Sequence, residues 1–135
     1  MAGRVVCAGT FDYFHPGHLD FLKQAKALGE ELVVIIARDE NVMKIKGIRT
    51  GHDENLRKRN VEQSGIPDKV VLGNLDGDLF HILNELSPDM VALGYDQRVS
   101  ENEIKTRLPN CSVVRLKPFR PEEFKSSLYR NRGKS

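Results

Sequence analysis

Five short apolar runs recur along this chain, at Val5 to Ala8, Glu31 to Ala37, Lys69 to Leu72, Asp89 to Leu93 and Ser112 to Leu116, and the stretches between them carry helical spacing. Runs this short, closed by glycine or polar residues, suit strands buried on both faces. Parallel neighbours need a crossover between them, and helices supply it. Helices are expected over Pro16 to Leu28, Glu54 to Gln63, Asp78 to Leu86, Glu101 to Leu108 and from Ser126 onward. The spacing is clearest in Leu79, Phe80, Ile82, Leu83 and Leu86, with Gly77 or Asp78 near the N-cap and Pro88 beyond the end. His81 faces away from that stripe, as a solvated residue would. The fold class that follows is α/β, an open, doubly wound sheet of five parallel strands with helices on both faces.

The junction after the first run, GTFDYFHPGH from Gly9 to His18, is where chemistry concentrates. Gly9 ends the strand and, lacking a Cβ, admits a close approach to the backbone amides of Gly9, Thr10 and Phe11. Thr10 and Asp12 add polar groups at the same point. Pro16 and Gly17 open a helix, proline being suited to a first turn whose amides lack partners, and Gly29 is expected as its C′ residue. His15 and His18 then flank a helix N-terminus, where free amides and the helix dipole attract an anion. Zinc would ask for three or four ligands, and here there is no HExxH glutamate and Cys7 is the sole nearby thiol. A purely structural helix start accounts for one histidine but not for the Gly-Thr-Phe-Asp text as well. Neither a GxGxxG nor a Walker A loop is present.

The bulk of the chain excludes several classes. At 135 residues it suits one domain, residues 1–135, with a single core. Basic and acidic residues balance at 21 against 19, so bulk charge points to neither a nucleic-acid nor a membrane partner. No apolar stretch has the length of a membrane span and the N-terminus is no signal peptide, which makes a cytoplasmic protein the expectation. Cys7 and Cys111 read as small buried hydrophobes.

GTFDYFHPGH resembles the first signature of the HxGH nucleotidyltransferases, which include cytidylyltransferases, pantetheine-phosphate and nicotinate adenylyltransferases and archaeal FAD synthases. The resemblance implies a sheet order of 3-2-1-4-5, so that the ends of strands one and four face one crevice. That order separates Cys7 from Cys111 by an intervening strand, too far for a disulfide. It also implies that His15 and His18 stabilise charge on a nucleoside triphosphate while a phosphate of the second substrate attacks the α-phosphorus.

The remaining site residues come from the same resemblance. Arg38 to Arg59 is a basic, poorly patterned segment whose charges are mostly those of a solvated loop and helix face; within it, Lys46 before Gly47 and Arg57 correspond to family residues that reach phosphates. A nucleic-acid patch would want interleaved aromatics, which the segment lacks. ALGYDQ, Ala92 to Gln97, resembles the base and ribose pocket, with Gly94 admitting the ring and Asp96 contacting the nucleotide; a turn or N-cap aspartate is the other reading of Asp96. Phe124 to Ser127 resembles the last signature, in which Ser126 and Ser127 either cap the final helix or bond phosphate oxygens. Arg115, Phe119 and Arg120 precede them along the cleft.

The runs Ala37 to Glu40, Leu93 to Gln97 and Val113 to Lys117, and Phe119 to Glu123 in place of Arg-Thr-Glu-Gly, look most like the archaeal FAD synthases. The implied reaction is ATP plus FMN giving FAD and pyrophosphate. The alternative is a cytidylyltransferase or adenylyltransferase acting on a polyol or sugar phosphate such as glycerol 3-phosphate. Mg²⁺ or another divalent cation would be carried by the triphosphate and water, with no ligand residue in the protein. Members of the superfamily often dimerise, so a homodimer is the oligomer the resemblance allows.

Overall fold

The computed structural model describes residues 2–95, 97 and 99–117. Five strands, β1 (Ala2–Gly9), β2 (Gly29–Ile36), β3 (Lys69–Leu72), β4 (Met90–Leu93) and β5 (Ser112–Arg115), form one parallel sheet in the order β3-β2-β1-β4-β5. The helices are α1 (Pro16–Lys26), α2 (Asp39–Lys46), α3 (Glu54–Gln63), α4 (Leu79–Leu86) and α5 (Glu101–Arg107). This is the doubly wound α/β arrangement and the strand order that the sequence led us to expect. No helix among the described residues is long and apolar enough to cross a membrane.

Alternation along the strands builds two cores. Val5, Cys7, Leu32, Val34 and Ile36 point to one face, where α1 contributes Leu22 and Ala25 and α3 contributes Val61. Val6, Val33, Ile35, Val91 and Leu93 point to the other, against Phe80, Ile82 and Leu83 of α4 and Ile104 of α5. Because successive side chains of a strand face opposite ways, each central strand needs apolar residues at every position, hence the unbroken runs. Cys7 and Cys111 belong to opposite cores and are both free. Burial pushes the Cys7 thiol well above its ordinary pKa, so it stays protonated and inert.

Two local departures from the sequence reading stand out. Gly29 does not cap α1; the helix closes at Ala27 in an ordinary right-handed conformation, and Gly29 opens β2 opposite Ala2. The segment after Arg38 is not featureless: α2 fills residues 39–46, with Asp39 and Glu40 in its first turn, Lys44 and Lys46 in its last, and Gly47 in the left-handed region at φ 71°. Those are favourable charges for the helix dipole and a glycine stop. The helix expected from Ser126 onward lies outside the described residues.

Candidate active site

The carboxyl ends of β1 and β4 lie side by side at the point where the sheet order reverses, since β1 pairs with β2 on one side and with β4 on the other. Past those ends the two chains separate, and Gln97 spans them. Its Oε1 accepts from the Gly94 amide at 2.7 Å while its Nε2 donates to the Ala8 carbonyl at 2.8 Å. Arg115 completes the frame, donating from Nη1 to the Gly94 carbonyl at 2.8 Å and the Gln97 carbonyl at 2.7 Å. Gly94 is thus held by both its amide and its carbonyl.

The loop from β1 to α1 is held in an unusual shape. Phe11 and Tyr13 have positive φ, 54° and 50°, without being glycine, a conformation that costs about 1–3 kcal/mol per residue and persists where neighbours over-determine it. The neighbours are visible here. A Cβ on Gly9 would lie 2.8 Å from the Phe11 ring, so glycine is what lets that ring fold back over the strand end. Phe11 also packs against Phe21 and edge-on against His18. Between the two strained residues, Asp12 is 1% exposed. It accepts from the amides of Gly51 at 2.7 Å and His52 at 2.9 Å, pinning the loop ahead of α3 to the loop ahead of α1.

Arg57 is the second pin. It is 0% exposed, and its guanidinium donates to the Thr10 carbonyl at 2.8 Å, the His52 carbonyl at 3.0 Å and the Asp39 carboxylate at 2.5 Å. Asp39 accepts in addition from the Thr50 hydroxyl and the Glu54 amide. Its carboxyl is held below the usual range by these bonds and the arginine, against the opposing effect of burial. Arg57 therefore lies beneath the loop that faces the crevice, with its donors on protein groups. Lys46, at the end of α2, reaches over the top, its Nζ 3.2 Å from the Thr10 hydroxyl.

His15 and His18 open α1 as a reciprocal pair. His15 is the N-cap, its Nδ1 accepting from the Gly17 amide at 3.1 Å, and the Nδ1 of His18 accepts from the His15 amide at 3.3 Å. This is the capping-box logic with imidazoles in place of hydroxyl and carboxylate. The rings stack with centroids 3.8 Å apart. Burial pulls both below the usual value of 6.5, His15 to about 4 and His18 to about 3, with His15 pushing His18 further down and Asp12 partly restoring it. Both rings are consequently neutral near pH 7. A neutral imidazole whose Nδ1 accepts carries its proton on Nε2, so the caps assign both histidines as Nε2–H donors. Pro16 occupies the first helical position, and Gly17 gives its amide to the cap.

Sequence reasoning singled out Gly9, Thr10, Phe11, Asp12, His15, Pro16, Gly17, His18, Lys46, Arg57 and Gly94, and these gather at the β1 and β4 ends. Asp96, Phe119, Ser126 and Ser127, with Arg120, lie outside the described residues. Two residues that hold the site together, Asp39 and Gln97, were not picked out individually. The signal for Asp39 was its place in the ARDE run beside a basic segment in need of a counter-charge. Among the described residues no three His, Cys, Asp or Glu side chains converge as a metal cage would require.

A family model described as cytidylyltransferase-like matches residues 6–132. An FAD synthase of Archaeoglobus fulgidus is 44% identical over 117 residues, covering 83% of this chain and 82% of the relative. One from Methanosarcina barkeri is 47% identical over 118 residues, covering 84% and 82%. A solved structure described as the lipopolysaccharide core biosynthesis protein of Thermoplasma volcanium superposes with a TM-score of 0.81 at 34% identity, covering 88% of this chain and 99% of that one.

Proposed function

Because the chain belongs to the cytidylyltransferase-like family, we propose that it is an FMN adenylyltransferase, an enzyme that joins the AMP part of ATP to FMN and releases pyrophosphate. The observation that carries the chemistry is the stacked pair His15 and His18, two neutral Nε2–H donors at a helix N-terminus beside Lys46 and the end of β1. What supports the acceptor is the run of relatives named FAD synthase, 41–47% identical over most of their length.

In this reading a phosphate oxygen of FMN attacks the α-phosphorus of ATP. The new oxygen–phosphorus bond forms as the bond to the β-phosphate bridge breaks, and pyrophosphate departs with that electron pair. No proton needs to move and no protein nucleophile is used. Negative charge grows on the bridging and non-bridging oxygens of the α-phosphate, and donors fixed in advance towards those oxygens stabilise the transition state more than the ground state. His15 and His18 fill that role. Lys46 supplies a point charge at the phosphates, and Gly9, Thr10, Phe11, Pro16 and Gly17 form the loop that the triphosphate lies along. We assign Arg57 and Asp12 to positioning, since their polar groups hold that loop from below. Gly94 and Asp96 would take the nucleoside, Phe119 would line the nucleotide cleft, and Ser126 and Ser127 would bond phosphate oxygens. A divalent cation, Mg²⁺ or a similar ion, would arrive on the triphosphate and neutralise its charge, held by phosphate oxygens and water.

The test is a matrix of ATP or CTP against FMN or glycerol 3-phosphate, with products separated by chromatography and pyrophosphate counted. FAD is expected from ATP and FMN alone, with one pyrophosphate per FAD. Pyrophosphate from CTP and glycerol 3-phosphate, with no FAD from FMN, would instead assign a polyol-phosphate cytidylyltransferase. In the productive pair, His18→Ala should lower kcat by about 10²- to 10³-fold, the usual loss for one such donor.

A further inference from the structure

Beside the proposed phosphate site lies a groove of about 540 Å³ lined by Tyr13, Phe14, His52, Asn60, Gln63 and Ser64. It is contiguous with the catalytic histidines through a run of near-parallel rings. His15 stacks on His18 at 3.8 Å and 23°, and His18 stacks on Phe14 at 5.6 Å and 21°. Tyr13 and His52 approach each other with centroids 5.1 Å apart. The wall is a built one. Tyr13 is fixed in its left-handed conformation and fits against Gly51 so closely that a Cβ there would meet the phenol oxygen at 2.0 Å. The His52 amide is tied to Asp12.

The buried Nδ1 of His52 has no hydrogen-bond partner among the described residues, which is costly unless a ligand or water supplies one. Asn60 and Gln63, on α3, present carboxamides, each with two donors and a two-lone-pair acceptor. Flat aromatic walls with amide groups at one edge suit a fused aromatic ring system that has an apolar end and an end bearing alternating carbonyls and an N–H.

We infer that this groove receives the isoalloxazine ring of FMN, with Tyr13, Phe14 and His52 against its faces and Asn60 and Gln63 at its pyrimidine edge, and with the ribityl arm passing Phe14 so that the phosphate arrives beside His18. The inference rests on the FMN adenylyltransferase reading and extends it by giving the acceptor a location. Ile45 of α2 and Leu75 after β3 are the most exposed large apolar side chains among the described residues, at 78% and 68%, and neither offers an aromatic wall.

Titrating FMN with the full chain and following flavin fluorescence, without ATP, tests the location. Stacking against Tyr13 should quench the wild-type signal. Replacing Asn60→Ala and Gln63→Ala together, and separately His52→Ala, should each raise the Kd for FMN about tenfold, the scale of one lost aromatic or bidentate contact. ATP affinity and the circular dichroism spectrum should hold, which shows that the variants are folded. If the wild-type chain makes FAD while these variants bind FMN as tightly as wild type, the groove is the wrong location and the enzyme reading survives. A rise in Kd produced by Leu75→Ser instead would have the same meaning. Variants that keep their FMN affinity but change the sedimentation of the chain would assign the groove to a second copy of this protein. A wild-type chain that neither binds FMN nor makes FAD would overturn the location and the reading together.

Discussion

At the scale of single residues, the site depends on charges that never face solvent fully. Arg57 is a guanidinium with no exposure, satisfied by two carbonyls and one carboxylate. Removing one partner of such a pair leaves a buried charge without compensation, which costs far more than the pair is worth as a unit. Asp39 keeps 40% of its side chain exposed, so water softens the loss. We expect Asp39→Ala to destabilise the fold by about 2–3 kcal/mol in wild type but by only about 1 kcal/mol, the worth of its remaining cap to the Glu54 amide, in an Arg57→Met background. Urea unfolding of the four proteins gives the coupling directly. Equal costs in both backgrounds would mean that Asp39 acts as a cap alone. The text of the chain marks Arg57 and Asp12 as site residues but does not say which way they point. Their partners, Thr10, His52 and Gly51, lie 47, 5 or 39 positions away, and such pairings appear only once the loops are folded together.

At the scale of elements, the strands were legible because burial on both faces leaves a plain mark, an unbroken apolar run. The helices α1, α3, α4 and α5 were legible to within a turn for a similar reason, each having a stripe or cap that the text displays. The exception is α2. Eight residues long, it buries just Asn41 and Val42, so it lacks the apolar stripe that marks a helix packed on a sheet. Its evidence is electrostatic and terminal: acidic first turn, basic last turn, glycine stop. The same thin packing makes α2 dependent on that stop, because Lys46 is its last residue and carries the charge that reaches Thr10. At Gly47, φ is 71° and no heavy atom lies within 4 Å of where an added methyl group would stand, so Gly47→Ala tests backbone strain without a clash. The expected cost is about 1 kcal/mol. The Michaelis constant for ATP should rise along with it as Lys46 loses its fixed approach. A KM for ATP equal to that of wild type would separate Lys46 from the geometry of α2.

At the scale of the whole molecule, the chemistry of the site and the stability of the fold are linked through protons. Burial at the head of α1 lowers His15 to about 4 and His18 to about 3, whereas both titrate near 6.5 once unfolded. Between these values the unfolded chain binds more protons than the folded one, so stability must fall as acid is added. The contribution is fully present above about pH 6.5, declines at up to about 1.4 kcal/mol per pH unit for each histidine, and levels off below the folded pKa values. His81 works in the other direction. Bonded to Asp76, its pKa is raised, so its contribution is present below 6.5 and lost as pH rises through the folded value, but it is fully solvated and screened. The carboxylates of Asp39, Asp68 and Asp76, held low by their partners, lose their share as pH falls from about 5 through the ordinary carboxylate range. The window from about pH 6.5 to 5 therefore belongs to the two histidines of the site. Urea midpoints measured from about pH 7.5 down to about pH 5 should drop steadily in wild type and flatten markedly in the His15→Gln, His18→Gln double variant. A wild-type profile flat across that range would mean that the rings titrate alike in the folded and unfolded protein, so that burial does not hold them neutral; midpoints that rise towards acid would mean a charged pair, and with that the assignment of two neutral Nε2–H donors would fall.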